Sequence, residues 1–135
     1  MEVAALKDDL TSREISISDS SAHNRVSMFF GGTSDRIRAE VKVGNSTAFN
    51  AFTSSFDIEN FNKIAIRYKA LGYEFYLNGS RFATNHSQSL IFSFNKLDSL
   101  NFLRKTLVNK FYGKAREVRT YTTALTEAEL IALTT

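Results

Sequence analysis

The chain contains no cysteine, no proline, no tryptophan and only two histidines. Without cysteine there are no disulfides, no thiolate metal sites and no cysteine nucleophile, so packing and hydrogen bonds must hold the fold. Two histidines are too few for a three-histidine zinc site. No apolar run approaches the roughly 20 residues that cross a bilayer, and acidic Glu2 is unlike the basic start of a signal peptide. The sequence therefore predicts no membrane insertion and no signal peptide.

The chain has no large excess of positive or negative charge. Seventeen Lys and Arg stand against fourteen Asp and Glu, which gives a formal net charge of +3. The two signs alternate locally, as in Asp35–Glu40 and Lys114–Arg119, whereas nucleic-acid-binding proteins cluster positive charge on one face. We therefore interpret the charges as a solvated surface and predict no nucleic-acid partner, with an anion-binding patch as the alternative.

Alternation of apolar and polar residues with period two dominates the chain and is typical of half-buried strands in antiparallel sheets. The 135 residues are enough for one domain with its own core. Strands are predicted at Glu2–Leu6, Glu14–Ser18, Arg25–Phe30, Arg36–Val43, Lys63–Lys69 and Tyr73–Asn78.

Turn signals separate these strands. Asn78-Gly79 supplies the two positive-φ residues of a tight hairpin, so Glu74–Leu77 is predicted to fold back onto Ser80–Thr84. Ser54–Asn60 is less regular and is interpreted as a loop. Thr126 and Glu129 have the spacing of a capping box, which predicts a short helix near Thr126–Leu133. The expected fold is an all-β, two-sheet antiparallel sandwich or a barrel with one short C-terminal helix.

Two stretches carry a family resemblance. The first is Phe61–Tyr68 followed by Tyr73–Gly79, and the second is Phe111–Leu130, with its Phe-x-Gly, Tyr and Ala-Leu-Thr-x-x-Glu pattern. Together they resemble the laminin-G-like, concanavalin A-like lectin/glucanase jelly-roll domains. This resemblance covers Phe61–Thr135 best and is fainter over Glu2–Phe30; the family usually has Trp where this chain has Phe61. It implies two packed antiparallel sheets and favours the sandwich.

The resemblance also implies a biological context. Domains of this kind are appended to phage tail fibres, other virion proteins and bacterial surface proteins, so a virion or cell-surface location is expected. The family commonly has another strand before Glu2–Leu6, which predicts that residues 1–135 form a single C-terminal module of a longer chain. By the same resemblance, the parent protein is expected to be a homo-oligomer, most plausibly a trimer.

Catalytic carboxylates are not predicted. A glycoside hydrolase needs two carboxyl groups about 5–9.5 Å apart, which on one strand means same-face spacing. Asp8 and Asp9 are adjacent, Glu127 and Glu129 lie in the helix-capping segment, and Glu117 is flanked by arginines. The Glu-x-Asp-x-x-Glu cluster of related glucanases is absent. The chain is therefore predicted to be non-catalytic.

No cofactor is predicted, although calcium is an open alternative because some relatives bind it through loop oxygens. Asp19, Asn24, Asp35 and Asn45 are oxygen donors at turns. Turns use such residues for their own hydrogen bonds, and no dense Asp-x-Asp-x-Asp run occurs.

Sugar binding needs an exposed aromatic face beside polar groups. By alternation, Tyr76 shares a face with Glu74 and is predicted to point outward while Phe75 and Leu77 point inward. For Tyr76 itself the favoured interpretation is a surface cross-strand pair that stabilises the sheet, and the sugar platform is the alternative. The tyrosines considered are Tyr73, Tyr76 and Tyr112, and the predicted ligand-binding residues are Tyr76, Glu74, Arg67, Lys69 and Asn78.

The leading hypothesis is a non-catalytic recognition module that binds a cell-surface glycan or a protein receptor. The alternatives are a structural decoration or assembly domain without its own ligand site, and an atypical glycosidase.

Overall fold

Two antiparallel five-stranded sheets form a sandwich, in a computed structural model that describes residues 1–93, 96–103 and 110–135. The first sheet has the order β10-β1-β6-β7-β8 and the second the order β5-β4-β3-β2-β9. The strands are β1 Glu2–Ala5, β2 Arg13–Ser18, β3 Arg25–Phe30, β4 Ile37–Val43, β5 Ser46–Phe52, β6 Asn62–Arg67, β7 Tyr73–Leu77, β8 Ser80–Asn85, β9 Ser99–Asn101 and β10 Gly113–Glu117. The fold class predicted from alternation and family resemblance is confirmed.

The core lies between the two sheets and is built from one face of each strand. In β4, for example, Ile37, Ala39 and Val41 are buried while Arg38 and Lys42 are only partly buried. Burial of apolar side chains contributes about 25 cal/mol per Å², so this face fixes the strand register. Large apolar side chains of the core include those of Tyr73, Phe75, Phe30, Phe49, Met28, Ile15, Ile37, Ile58 and Ile64.

The predicted hairpin joins β7 and β8. Asn78 and Gly79 have φ values of 47° and 79°, as a two-residue turn of this kind requires. The Asn78 side chain also binds the neighbouring strand, because its Oδ1 accepts a hydrogen bond from the Lys63 amide at 2.9 Å and its Nδ2 donates to Asn62 Oδ1 at 2.9 Å. Asn78 therefore holds the end of the sheet together.

Helix α1, Glu127–Thr134, lies on the first sheet, where it packs against β6, β7 and β8. Thr126 is its N-cap: the Thr126 hydroxyl accepts from the Glu129 amide, and the Glu129 side chain accepts from the Thr126 amide. The predicted capping box is thus confirmed. The outer face of β6–β7 lies beneath the helix, so the expectation that one face of this sheet is solvated is wrong there. Among the described residues, no helix has the length and hydropathy needed to cross a bilayer.

Candidate functional site

Three of the predicted ligand-binding residues meet in one cluster on the outer face of β6 and β7. Tyr76 donates from its hydroxyl to Glu74 Oε2 at 2.5 Å, and Arg67 Nη2 donates to Glu74 Oε1. His86 Nε2 lies 3.0 Å from the same Oε1, and Arg67 Nη1 donates to the Leu125 carbonyl oxygen at 3.0 Å. The cluster therefore ties β6, β7 and the end of β8 to the chain that leads into α1.

Burial and hydrogen bonding shift the pKa values of this cluster. Burial alone raises the pKa of Glu74, but the hydrogen bonds from Tyr76, His86 and Arg67 outweigh it and the net shift is downward. Burial, together with the Glu74 carboxylate that accepts its proton, raises the pKa of Tyr76 to about 12. Glu74 is thus a buried anion stabilised by its three donors.

Tyr76 is not the exposed ring that alternation predicts. It does share the outer face with Glu74, while Phe75 and Leu77 point into the core. However, Tyr76 is 0% exposed and Glu74 is 1% exposed, because α1 and the chain before it cover this face. The prediction of an exposed sugar platform at Tyr76 is therefore wrong, since a fully covered ring cannot stack on a ligand.

Lys69 and Asn78 lie apart from this cluster. Lys69 is exposed at the β6–β7 turn, where its methylenes lie over Gly72, and Asn78 is the turn residue of the β7–β8 hairpin. Of the other tyrosines considered, Tyr73 is in the core and donates to the Leu90 carbonyl oxygen, and Tyr112 is 58% exposed with the Arg13 guanidinium over its ring.

The candidate calcium ligands serve turns. Asp19 accepts hydrogen bonds from the Ser21 hydroxyl and the Asn24 amide group, and lies 3.2 Å from Lys96 Nζ. Asn24 Oδ1 accepts from the Gly44 amide, next to Asn45. Asp35 binds elsewhere, since its amide donates to Asp8 Oδ2. Among residues 1–93, 96–103 and 110–135, no group of three His, Asp or Glu side chains could hold a metal ion.

An open cleft of about 580 Å³ runs beside β6. Its walls come from β6 and the turn after it, from residues 91–93 and 96–97, and from the 120–125 segment with α1. Aromatic rings, hydroxyl groups and cations share this surface: Tyr68, Phe92, Tyr121, Thr120, Thr122, Thr123, Ser93, Arg67, Lys69 and Lys96. The sequence-predicted residues Arg67 and Lys69 therefore line a cleft, although the predicted tyrosine does not.

Two further carboxylates converge on the outer face of the second sheet. Arg25 Nη2 lies 2.6 Å from Glu40 Oε1, and Arg25 Nε lies 3.6 Å from Glu14 Oε1. Ser27 Oγ donates to Glu14 Oε1 at 2.6 Å, and Arg38 Nη2 contacts Glu40 Oε2 at 2.5 Å. Searching single strands for paired carboxylates misses this arrangement, because Glu14 and Glu40 lie on β2 and β4 with β3 between them.

Comparison with known proteins decides the family. The model of the laminin G family described as the concanavalin A-like lectin/glucanases superfamily matches residues 5–131. The chain belongs to this superfamily. No curated protein matches it in sequence. The crystal structure of an S-layer domain-containing protein (residues 221–444) from Clostridium thermocellum is similar at 13% identity and a TM-score of 0.49, over 96% of this chain and 65% of that chain. The chain thus spans less than two thirds of that structure.

Because the superfamily includes glucanases, the carboxylates of the Glu14–Arg25–Glu40 group can be compared with the requirements of a glycosidase. A glycosidase needs its two carboxylates accessible to the sugar and to water. Here the two glutamate side chains are 2% and 5% exposed, and the guanidinium of Arg25 lies between them. As arranged, the group is a buried ion network that braces β2, β3 and β4.

Proposed function

We propose that this laminin-G-like domain is a non-catalytic recognition module. It binds a cell-surface ligand in the cleft beside β6. The observation that supports this most directly is the composition of the cleft walls, where aromatic rings, hydroxyl groups and cations face one open volume of about 580 Å³. Ligand pockets typically measure about 300–1,000 Å³ and combine apolar walls with a few polar groups.

The aromatic contact in this proposal is Tyr121. Its ring lines the cleft and is 46% exposed, whereas Tyr76 is fully covered. Tyr121 lies beside Thr120 and Thr122, whose hydroxyls can donate and accept hydrogen bonds to a polar ligand. An exposed ring with hydroxyls beside it supports affinities of roughly micromolar to millimolar per site.

The proposal is non-catalytic because of where the acidic side chains lie and how far they are buried and paired. No acidic side chain of the described residues lines the cleft, and Glu14 and Glu40 are covered and paired with Arg25. Hydrolysis of a panel of soluble polysaccharides tests this point. We expect no turnover; turnover that disappears in Glu14→Gln or Glu40→Gln would contradict it.

The wider context follows from the family resemblance. We infer a place on a virion, such as a phage tail fibre, or on a cell-surface protein, with the module repeated in a homo-oligomeric parent such as a trimer. Repetition suits a weak site, because linked sites raise apparent affinity by about 10²–10⁴ without new contacts. The alternative function is that of a structural decoration or assembly domain, in which the cleft binds no ligand.

A binding comparison tests the proposal. The domain, multimerised on a streptavidin scaffold, is applied to a printed array of defined glycans and to a peptide display library. Tyr121→Ala is expected to weaken whatever binding is found by tenfold or more, and the matched control Tyr112→Ala, at an exposed tyrosine outside the cleft, should leave it unchanged. Binding that both variants retain would place the site elsewhere, and failure to bind either collection would favour the structural alternative.

A further inference from the structure

Among the described strands, β10, β8, β5 and β9 lie at sheet edges, and they differ in how well they are protected against pairing with another chain. Strand β9 is three residues long, and β10 carries Lys114, Arg116 and Glu117. Strand β8 carries Arg81, and its register with β7 is irregular. Short length, charge and irregular pairing are features by which edge strands avoid binding a further strand. Strand β5 is seven residues long and has no charged residue, and its register with β4 is regular over residues 49–52.

The backbone groups of β5 that point outward follow from its pairing with β4. The Thr53 amide donates to the Ile37 carbonyl oxygen at 2.8 Å, so the backbone groups of Thr53 point toward β4. Because successive residues of a strand alternate, those of Ala51 also point toward β4, whereas the N–H and C=O of Asn50 and Phe52 point away from it. Among the described residues, no backbone group binds Asn50 or Phe52 on that side.

The space beside this edge is open. A groove of about 620 Å³ lies between the edges of β5 and β8, with Asn50 and Ala51 on one wall and Thr84 on the other. The Phe52 side chain is 55% exposed on the outer face of the sheet, where the Arg36 Cζ lies 4.7 Å from the centroid of its ring. The edge of β5 therefore presents free main-chain groups beside an exposed apolar ring.

We propose that β5 pairs antiparallel with β5 of a second copy of this chain, across a two-fold axis at Ala51. This interface goes beyond the proposed function, since it uses neither the cleft nor its ligand. A two-fold interface brings the same surface of both copies together. With Ala51 opposite its own copy, Asn50 pairs with Phe52 of the second copy, and such a pair exchanges both of its N–H···O bonds. The outward N–H and C=O groups of Asn50 and Phe52 all gain partners in this way.

The side chains of β5 favour a second copy over a partner of different sequence. The strand has no charge, so no like charges face each other across the axis and no charge selects an acidic or basic partner. Small Ala51 meets itself on the core-facing side, where the axis brings identical side chains closest. On the outer face Phe52 lies opposite Asn50, which covers part of the ring. A register with Asn50 opposite itself would instead place Phe52 against Ala48, where the pairing with β4 is irregular.

Sedimentation velocity of the whole 135-residue chain tests the pairing. Contacts that bury less than about 1,200 Å² are typical of transient complexes, so we expect a concentration-dependent dimer between about 1 µM and about 1 mM. A chain that stays monomeric throughout this range would overturn the inference.

Proline at Phe52 separates main-chain pairing from side-chain contact. Phe52→Pro removes an N–H that points away from β4, a position at which edge strands tolerate proline. It is expected to weaken the dimer by tenfold or more, whereas Phe52→Ala, which keeps the N–H, should weaken it less. Thr84→Lys, an exposed change on the β8 wall of the groove, should leave the dimer unchanged. Thermal unfolding checks that each variant is folded. A dimer that survives Phe52→Pro refutes pairing through β5.

A single introduced cysteine locates the axis without proline. The chain has no cysteine, so any disulfide must join two copies. Residues opposite each other in a non-hydrogen-bonded antiparallel pair have Cα atoms about 4.5 Å apart, which is within the range of a disulfide. Ala51→Cys is therefore expected to give a disulfide-linked dimer on mild oxidation. The control Thr47→Cys, exposed on the same strand, falls far from its own copy in this register. Equal yields from the two variants, or none from Ala51→Cys, would contradict an axis at Ala51.

Hydrogen exchange distinguishes a second copy from another occupant of the edge. Concentrating the chain is expected to slow exchange at the Asn50 and Phe52 amides and to leave the Ala51 amide, which points toward β4, unchanged. A dimer without protection of Asn50 and Phe52 would refute the pairing. Protection of these two amides by a peptide selected from a display library, in a chain that remains monomeric at every concentration, would make a foreign segment the occupant and would also refute it.

Discussion

Replacing Tyr76 tests the covered face of β7 most directly. Tyr76→Phe removes one hydroxyl from a ring that is 0% exposed and leaves Glu74 Oε2 without a hydrogen-bond donor among the described residues. A hydrogen bond to a charged group contributes about 1.5–3 kcal/mol, and the orphaned carboxylate oxygen remains buried. We expect Tyr76→Phe to lower the free energy of unfolding by that amount, or Tm by about 6–12 °C at about 4 °C per kcal/mol.

Tyr76→Ala removes the ring as well. Truncation of a buried aromatic side chain to Ala costs about 3–5 kcal/mol, to which the lost hydrogen bond adds. Since domains unfold with only about 5–15 kcal/mol, this variant is expected to be close to unfolded at 37 °C. At a solvent-exposed position the same change would cost within about 0.5 kcal/mol.

Urea unfolding followed by circular dichroism measures these differences, with Tyr112→Phe and Tyr112→Ala as controls at a ring that is 58% exposed. The controls are expected to shift the free energy of unfolding by less than about 1 kcal/mol. If Tyr76→Phe is as stable as the parent and Tyr76→Ala costs no more than Tyr112→Ala, then α1 does not cover Tyr76 and the description of this face is refuted.

Three other outcomes are expected. Gly31→Ala should destabilise the fold far more than Gly44→Ala. Both glycines have positive φ, which costs about 1–2 kcal/mol in a non-glycine residue, but a Cβ at Gly31 would meet a backbone carbonyl oxygen at 2.2 Å, whereas one at Gly44 would meet nothing within 4 Å. Equal losses of Tm in calorimetry would contradict this. Thr126→Ala should cost about 1 kcal/mol by removing the N-cap of α1, against little for exposed Thr47→Ala, in urea unfolding. Because the pKa of Tyr76 is raised to about 12, the stabilisation by its protonated hydroxyl is complete below pH 10 and is lost as the pH rises toward 12, by about 2–3 kcal/mol. The Tyr76→Phe variant should lack this part of the alkaline decline in the free energy of unfolding. Identical slopes of the free energy of unfolding against pH for the two proteins would argue against it.

Local patterns in the sequence determine most elements of this fold. Asn78-Gly79 can take the positive φ values of a two-residue turn at little cost, and the Thr126–Glu129 spacing provides side-chain acceptors for two amides at a helix start. Period-two alternation also assigns Phe75 and Tyr76 correctly to opposite faces of β7. Such features depend on neighbours a few residues away, so they can be read without a tertiary structure.

Only the tertiary structure decides what covers each face and which residues meet. Alternation shows that Tyr76 points away from the core, but its burial depends on α1, fifty residues later in the chain. Glu14 and Glu40 converge across an intervening strand, which no spacing along one strand reveals. The cleft arises where β6, the turn after it and the 120–125 segment come together. The local chain sets the direction of each side chain, whereas solvent exposure depends on long-range packing, and a binding site needs both.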